Sequence, residues 1–327
     1  MGKEFVRLLI TKTATLRDSY GIEWKLTGVA SRSIGWIADA GGLDPSALLE
    51  GRYPEIPAWK IPHNVREWLE AADPSVFFEA TSLDRHAGQP ATDHIKAALE
   101  SGAHAISANK GPIVHAYREI RDLARAKSRK FLFESTVMDG VPVFSMARAL
   151  PAAELRGFRG ILNSTTNFVL TEMERGRTLE EAVKIAQQAG FAETNPADDL
   201  DGWDAAVKVA ALVIVLMDYP IRLDQIERTG IRGITPEHLR AARDAGKRFK
   251  LMCSAERLPE GGVRAGVRPE MIPLADPFAL FEGTTAGLRF EYDMFGISLT
   301  EHEHEPGVLA TAYGLLADFI RAVRDPL

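Results

Sequence analysis

Five carboxylates and one lysine crowd a short stretch in the second half of this 327-residue chain. The segment 190–212 reads GFAETNPADDLDGWDAAVKVAAL and contains the acidic residues Glu193, Asp198, Asp199, Asp201 and Asp204. Lys208 follows in a stretch that is otherwise apolar nearly all round. A buried lysine is costly unless a carboxylate meets it, and burial lowers a lysine's pKa toward the range that serves proton transfer. The pattern therefore favours a catalytic site.

The spacing of Asp204 and Lys208 also allows a simpler interpretation. The two residues are four positions apart, so on a helix they share one face and form an i,i+4 ion pair. Such pairs are common on helices and need have no function. The apolar neighbours and the acidic approach favour the site, and the ordinary ion pair stays open as the alternative.

Two segments in the first half carry polar side chains directly after predicted strands. SANKGP, at 107–112, contains Lys110, and FEATS, at 78–82, contains Thr81 and Ser82. Ligands of parallel α/β sheets bind at the carboxyl ends of the strands, so these side chains are positioned to reach a ligand. A solvated loop lysine and a plain strand end are the alternatives.

Two further segments combine polar groups in other ways. ESTVMDGVP, at 134–142, places a carboxylate at a glycine- and proline-bearing turn, where carboxylate and carbonyl oxygens can ligate a hard cation. ILNSTTNFVL, at 161–170, clusters hydroxyls and amides ahead of an amphipathic stretch. An unliganded turn is the alternative for the first, and a helix cap made by Ser164 or Thr165 is the alternative for the second.

The elements that must position these groups follow from hydrophobic periodicity. The first part alternates predicted helices with predicted strands, the helices at 3–18, 65–71, 92–101 and 114–126, and the strands at 24–30, 75–80, 104–107 and 130–134. This alternation indicates an α/β fold with a Rossmann-like, doubly wound parallel sheet. A strand at 155–161 opens a second, α+β region, and a helix at 310–323 carries an apolar stripe that could pack on the first domain.

Composition narrows the class of protein. A net charge of −6 without a basic run makes nucleic acid and anionic membranes poor partners. The single cysteine, Cys253, excludes an intrachain disulfide framework and fits a reducing cytoplasm. The longest apolar run, from Val209 to Met217, is too short to span a bilayer, and residues 1–19 lack the continuous apolar core of a signal peptide.

The order of the segments is more specific than any one of them. SANKGP, ESTVMDGVP, ILNSTTNF and GFAETNPADDLDGWDAAVK together resemble the homoserine dehydrogenase family, from about residue 3 to residue 245. The resemblance implies a nucleotide-binding domain at 1–133, completed by a C-terminal helix at 306–327. It also implies an α+β catalytic and dimerisation domain with a mixed sheet at 134–305, usually as a homodimer.

The implied reaction is the reversible, NAD(P)-dependent interconversion of L-homoserine and L-aspartate 4-semialdehyde in threonine and methionine biosynthesis. Matched by position, Lys110, Lys208 and Asp204 resemble the catalytic residues, and Glu193, Thr165, Asp198 and Asp199 the substrate-binding residues. Glu134, together with the backbone carbonyls of Val137, Asp139 and Val141, resembles a monovalent-cation site for Na+ or K+. Gly2, Arg32, Thr81, Ser82 and Lys110 are the expected cofactor-binding residues.

Two departures from the family concern the cofactor. A dinucleotide-binding domain normally opens with a strand and a glycine-rich turn, whereas this chain runs from Met1 directly into a predicted helix, with Gly2 as the candidate last glycine. Residues 299–312, LTEHEHEPGVLATA, replace a glycine-rich loop with Glu301, His302, Glu303, His304 and Glu305. Acids beside a pyrophosphate would repel it. A solvated loop is favoured there over a metal site.

Ser31-Arg32-Ser33 offers no carboxylate for a ribose hydroxyl, and Arg32 suits a 2′-phosphate, so NADP is favoured over NAD. A surface arginine is the alternative for Arg32. Two hypotheses remain for the whole chain. The first is an NADP-linked homoserine dehydrogenase, and the second is a non-catalytic or cofactor-poor relative that binds an amino acid or another protein.

Overall fold

The computed structural model describes residues 1–55, 57, 61–302 and 308–325. These residues divide into two compact units. The first runs from Met1 to Pro142 and takes in the C-terminal segment that starts at Val308, and the second begins at Val143. Residues 134–142 belong to the first unit because they pack on its C-terminal helix: the Glu134 N–H donates to Asp318 Oδ2 at 2.7 Å.

The first unit is an α/β layer structure. Its helices are α1 (Gly2–Tyr20), α2 (Pro45–Leu49), α3 (Val65–Ala72), α4 (Ala91–Ser101), α5 (Gly111–Ala126) and, at the C-terminus, α12 (Leu309–Arg324). Its strands are β1 (Gly28–Ser31), β2 (Gly35–Ala38), β3 (Val76–Glu79), β4 (His104–Ser107) and β5 (Phe131–Leu132). Strands β3, β4 and β5 pair in parallel in that order. The predicted α/β fold with a parallel sheet is therefore confirmed.

The segment predicted as a strand at 24–30 is not part of that sheet, and this prediction was wrong. Strand β1 pairs antiparallel with β2 in a separate two-stranded hairpin. Gly35 has a φ of +73° at the end of the hairpin turn, a conformation that glycine adopts without strain. The hairpin buries Ile37 against Leu43 and Leu48. This local cluster accounts for an apolar run that resembled a strand of the main sheet.

Helices α1 and α12 cover one face of the parallel sheet. Their apolar stripes form one cluster with Ile106 of β4 and Leu132 of β5. Near the start of α1, the Phe5 ring lies 4.5 Å from the Phe78 ring, between centroids. Phe78 is the penultimate residue of β3, so the N-terminus of α1 lies toward the carboxyl end of that strand. Helix α12 packs in the same cluster as α1 and the parallel sheet.

The second unit is built on a mixed sheet. Its strands are β6 (Leu155–Ile161), β7 (Glu227–Arg228), β8 (Lys247–Arg257), β9 (Val263–Pro273), β10 (Ala286–Tyr292) and β11 (Gly296–Glu301). Its helices are α6 (Val143–Arg148), α7 (Ser164–Glu174), α8 (Leu179–Gln188), α9 (Ala197–Leu200), α10 (Trp203–Leu216) and α11 (Pro236–Asp244). The order is β11-β10-β6-β8-β9-β7, antiparallel except for the parallel pair β7–β9. Helices α7 and α10 pack against this sheet, and the predicted acidic residues lie on α9, on α10 and in the loop before α9.

Candidate functional site

The acidic cluster of the second unit is organised by an amide. Asn163, at the N-cap of α7, donates from Nδ2 to Asp199 Oδ1 at 2.6 Å and to Asp204 Oδ2 at 3.0 Å. Its Oδ1 accepts the Thr166 N–H at 2.8 Å, which caps the helix. The cap is therefore made by Asn163, and the alternative that placed it on Ser164 or Thr165 was wrong. One buried amide joins two carboxylates that are distant from it in sequence.

Lys208 faces the same cluster from α10. Its Nζ lies 3.2 Å from Asp204 Oδ2 and donates to the Leu162 carbonyl at 2.7 Å. The side chains of Lys208 and Asp204 are 17% and 20% exposed. The i,i+4 pair expected from the spacing is present, but it is not an ordinary surface pair, because it is largely shielded from water and shares Asp204 with Asn163.

Burial and crowding perturb the acidic group next to this pair. Burial first, and the neighbouring Asp204 carboxylate second, raise the pKa of Asp199 to about 6. The Asn163 hydrogen bond and the Lys208 ammonium act in the opposite direction, while the Glu193 carboxylate raises the pKa further. Three carboxylates around one ammonium leave an excess of negative charge, which suits a cationic ligand such as the ammonium of an amino acid.

The remaining predicted substrate residues are Thr165 in the first turn of α7, Glu193 in the loop before α9 and Asp198 in α9. Thr165, which is buried, donates its hydroxyl to the Phe191 carbonyl at 2.9 Å and so ties α7 to this loop. Gln187 Nε2 holds the Glu193 carbonyl at 3.1 Å, while Glu193 and Asp198 are themselves exposed. The loop is thus anchored through its backbone, and its carboxylates remain accessible to a ligand.

In the first unit, the loops that follow β3 and β4 are joined by Asn109. Asn109 is buried, and its Nδ2 donates to the carbonyls of Thr81 and Ser82 at 3.1 and 3.3 Å. Its Oδ1 accepts the Gly111 N–H at 2.9 Å, at the start of α5. Lys110 is the N-cap residue of α5 and is half-buried. The predicted residues Thr81, Ser82 and Lys110 therefore share one edge of the parallel sheet.

Glu79 is a second buried group below this edge that the sequence analysis did not select. Its Oε1 accepts the Thr81 N–H at 2.8 Å, and its Oε2 lies 2.8 Å from His94 Nδ1. The Glu79 side chain is 1% exposed. Both residues were missed although each lies inside a segment with predicted site residues, Glu79 in FEATS and Asn109 in SANKGP. Those positions were the available indication, but the contacts to His94 and from Asn109 to the Thr81–Ser82 loop join separate segments.

The residues present fit a nicotinamide dinucleotide. Helix α1 has no side-chain cap at its N-terminus, where backbone N–H groups can bind a pyrophosphate. Gly2 has open space where a side chain would stand. Arg32 is exposed in the β1–β2 turn, next to Ser31 and Ser33. The turn offers a cation and hydroxyls to the outer part of such a ligand.

In the structure, side chains of α12 contact the two carboxylates of the predicted monovalent-cation site. The Glu134 carboxylate is buried and lies 3.2 Å from Arg321 Nη1, and the Asp139 carboxylate accepts the Thr311 hydroxyl. Asp139 has a φ of 44°, within the turn that includes Val137 and Val141. A site built on Glu134 and these three backbone groups stays a prediction.

The acidic and histidine loop is only partly described. Glu301 ends β11, and His302 Nδ1 lies 3.0 Å from Thr285 Oγ1. Glu303, His304 and Glu305 lie outside the described residues. Among the residues that the structure does describe, no group of three or more histidine, cysteine or acidic side chains is arranged to hold a metal ion. In the same part of the chain, no helix is long and apolar enough to cross a membrane.

A parallel sheet with an uncapped helix N-terminus in one unit and a lysine–carboxylate cluster in the other indicate a nicotinamide-dependent oxidoreductase. Comparison with known proteins agrees. The family model for the NAD-binding domain of homoserine dehydrogenase matches residues 1–134, and the model for homoserine dehydrogenase itself matches residues 142–320. The chain belongs to the homoserine dehydrogenase family.

Individual relatives support this assignment over nearly the whole chain. An NAD(+)-dependent homoserine dehydrogenase of Pseudomonas canavaninivorans is 31% identical, over 98% of this chain and 92% of its own length. A homoserine dehydrogenase of Methanocaldococcus jannaschii is 30% identical, over 98% and 95%. The solved structure of a homoserine dehydrogenase from Thiobacillus denitrificans superposes with a TM-score of 0.81 at 27% identity, covering 99% of this chain and 72% of that chain. The family predicted from the motif order is confirmed, and the non-catalytic alternative is not favoured.

Proposed function

We propose that the chain catalyses the reversible, NAD(P)-linked interconversion of L-homoserine and L-aspartate 4-semialdehyde, with the Asn163-centred cluster as its amino-acid site. The observation that carries the proposal is the excess of carboxylate over ammonium around Asp199 and Asp204, next to the shielded Lys208. Homoserine brings a cationic ammonium, which lowers the electrostatic cost of that excess, and a hydroxyl, which needs a proton acceptor.

Glu193, Asp198 and Asp199 bind the substrate ammonium in this proposal. A hydrogen bond between charged groups contributes roughly 1.5–3 kcal/mol when it is shielded from water. The raised pKa of Asp199 supports its role, because a carboxylate that is costly to ionise alone gains more from a cationic partner than an exposed one does. Thr165 keeps the loop in place through the Phe191 carbonyl.

Lys110 and Lys208 handle the hydroxyl proton. Lys208 is held by Asp204 on one side and by the Leu162 carbonyl on the other, so its Nζ has a fixed direction. Lys110 lies at the start of α5, next to Asn109, whose side chain joins the loops after β3 and β4. A positioned amine can accept the hydroxyl proton or stabilise the developing alkoxide.

The first unit binds the cofactor through Gly2, Arg32, Thr81, Ser82 and Lys110. When bound, the nicotinamide accepts or returns the hydride at the substrate carbon. The uncapped N-terminus of α1 binds the pyrophosphate, and the loops fixed by Asn109 border the nicotinamide. We favour NADP over NAD because the turn at Ser31-Arg32-Ser33 carries a guanidinium and no carboxylate. The relative from Pseudomonas canavaninivorans is named NAD(+)-dependent, so both cofactors belong in the test.

We further propose a homodimer that works in the cytoplasm within threonine and methionine biosynthesis, and a Na+ or K+ ion at Glu134. The single, buried Cys253 suits a reducing compartment. The net charge of −6 disfavours nucleic acid as a partner.

The test is turnover of L-homoserine by the purified chain with NADP+ or NAD+, followed by nicotinamide absorbance. We expect reduction of the cofactor that depends on homoserine, and the reverse reaction with L-aspartate 4-semialdehyde. Fluorescence titration with NADPH and NADH checks cofactor binding separately. Failure of both reduced cofactors to bind up to millimolar concentration would refute the dehydrogenase and favour an amino-acid-binding relative.

A further inference from the structure

Lys250 is a fully buried cation that the proposed reaction does not use. It lies on β8 with no exposed surface. Its Nζ donates to Asn167 Oδ1 at 3.0 Å and to the carbonyl of Phe281. These partners are neutral oxygens, and transferring an ammonium from water to such a place costs several kcal/mol, in order-of-magnitude terms. A leucine or methionine would fill the space without the cost of desolvating an ammonium. The hydrogen bonds from Lys250 to Asn167 and to the Phe281 carbonyl must therefore have a role.

Asn167 extends this contact to a whole segment of backbone. Its Nδ2 lies 3.2, 3.1 and 3.0 Å from the carbonyls of Phe281, Gly283 and Thr285. One turn further along α7, Thr171 Oγ1 accepts the Gly283 N–H at 3.0 Å. Segment 281–285 makes no regular ladder of its own before β10 begins at Ala286. Its polar backbone is therefore satisfied by side chains of α7 and by Lys250.

The same helix holds the acidic site. Asn163 and Asn167 are four residues apart and lie one turn from each other on α7. Asn163 binds Asp199 and Asp204, while Asn167 binds Lys250 and segment 281–285. A shift in the first turn of α7 therefore moves the amide that bridges the two carboxylates. Hydrogen bonds to carboxylates weaken steeply with distance and angle, so a small shift is enough to matter.

We infer that Lys250 and Asn167 are positioning residues of the dehydrogenase reaction: they lock α7 to segment 281–285 and so fix the Asn163 amide between Asp199 and Asp204. This inference rests on the site assignment proposed above. Neither residue is a catalytic residue, since each acts through Asn163.

The position of the Asn163 amide affects the pKa of Asp199. The groups that face Asp199 are Asp204 and Lys208 from α10, Glu193 from the preceding loop and Asn163 from α7. Asn163 stabilises the ionised form, so loosening it raises the pKa of Asp199 further above 6. Lys250 is not among these groups. A shift caused by removing Lys250 therefore reports a moved amide and not a lost charge.

Lys250 has charged neighbours of its own. Glu174 from α7, Arg248 from β8 and Glu282 from segment 281–285 surround it at longer range, and burial lowers its pKa to about 8. Arg248 pairs with Glu282 at 2.7 Å and with Glu174 at 3.7 Å. These pairs stay in place when Lys250 is replaced by a neutral side chain.

The test compares Lys250→Met with Lys130→Met. Lys130 is a matched control because its Nζ also holds backbone carbonyls, those of Arg321 and Ala322 at 2.8 and 3.2 Å, in the other unit. The readouts are the thermal midpoint and the acid limb of kcat/KM for L-homoserine. We expect both variants to lose stability, but only Lys250→Met to move the acid limb upward, by about half a pH unit, with KM for homoserine raised and KM for the cofactor unchanged.

A second variant covers the case in which Lys250→Met does not fold. Thr171→Val removes the α7 hydroxyl that accepts the Gly283 N–H, with little change in shape, and it should move the acid limb in the same direction by a smaller amount. An unmoved acid limb in a folded Lys250→Met or Thr171→Val variant overturns the inference. If the parent chain lacks turnover, the proposed function fails independently. The inference is then judged by the pKa of Asp199, taken from the pH dependence of unfolding with and without Asp199→Asn.

Discussion

Replacing Asp199 with asparagine should stabilise the folded protein above neutral pH while it weakens the enzyme. In the folded state, burial and the Asp204 carboxylate raise the pKa of Asp199 from 3.8 to about 6. Each pH unit of such a difference corresponds to about 1.4 kcal/mol, so the ionised carboxylate costs the folded state about 3 kcal/mol at most. Partial exposure of the site reduces this figure, and we expect a gain of about 1–3 kcal/mol.

The sign of the effect depends on pH. Between pH 3.8 and about 6 the folded state retains a proton that the unfolded chain has released. The stability that this proton contributes is fully present below pH 3.8 and is lost as the pH rises through about 6. Asparagine does not ionise, and its Oδ1 can keep the hydrogen bond from Asn163. The variant should therefore match the parent at low pH and exceed it increasingly up to about pH 7.

The assay is urea unfolding at a series of pH values from ~4 to ~8, for the parent and for Asp199→Asn. Asp198→Asn is the control, because it removes a neighbouring carboxylate that is exposed. The control should show no comparable rise with pH. The activity of Asp199→Asn should fall roughly tenfold to a hundredfold in kcat/KM for homoserine, since a charged hydrogen bond to the ammonium is lost. A gain that is constant with pH, or a loss of stability at about pH 8, would show that Asp199 does not carry this electrostatic cost.

Two further predictions concern the proton and the cofactor. Lys208→Ala should lower kcat by about 10²- to 10⁴-fold while circular dichroism still shows a folded protein, and full activity in this variant would rule out the assignment. Arg32→Ala should raise KM for NADP+ roughly tenfold and leave KM for NAD+ unchanged, because only the former carries a 2′-phosphate. Equal effects on both cofactors, measured by initial rates, would remove Arg32 from the phosphate site.

Elements with a clear local pattern could be predicted from the sequence. The strands at His104–Ser107 and Leu155–Ile161 have the predicted bounds, and the first helix differs by only one or two residues at its ends. The Asp204–Lys208 pair also follows from a spacing of four. The hairpin at β1 and β2 could not be predicted in this way, because a short apolar run does not reveal which strand it will pair with.

The contacts of Asn109 and Asn163 could not be predicted from the sequence for a related reason. Asn109 contacts residues 27 and 28 positions away, and Asn163 contacts carboxylates 36 and 41 positions away. Such contacts depend on how strands and helices assemble, and no local periodicity in the sequence predicts them. The motif order pointed to the segments that contain both residues, yet the residues chosen within them were charged or hydroxyl-bearing, and the two amides were passed over.

The choice of an amide at position 163 has a chemical reason. The side chain there must donate to Asp199 and Asp204 and at the same time accept the N–H of Thr166. Asparagine alone among the short side chains that cap helices has an NH₂ group with two donors beside a carbonyl acceptor. An aspartate would cap the helix equally well, but it would add a third carboxylate beside Asp199 and raise the pKa of that group further. A serine has a single proton to donate. The amide thus binds two carboxylates that lie close together, and Asp199, with a pKa of about 6, is ionised near neutral pH and can meet a cationic substrate.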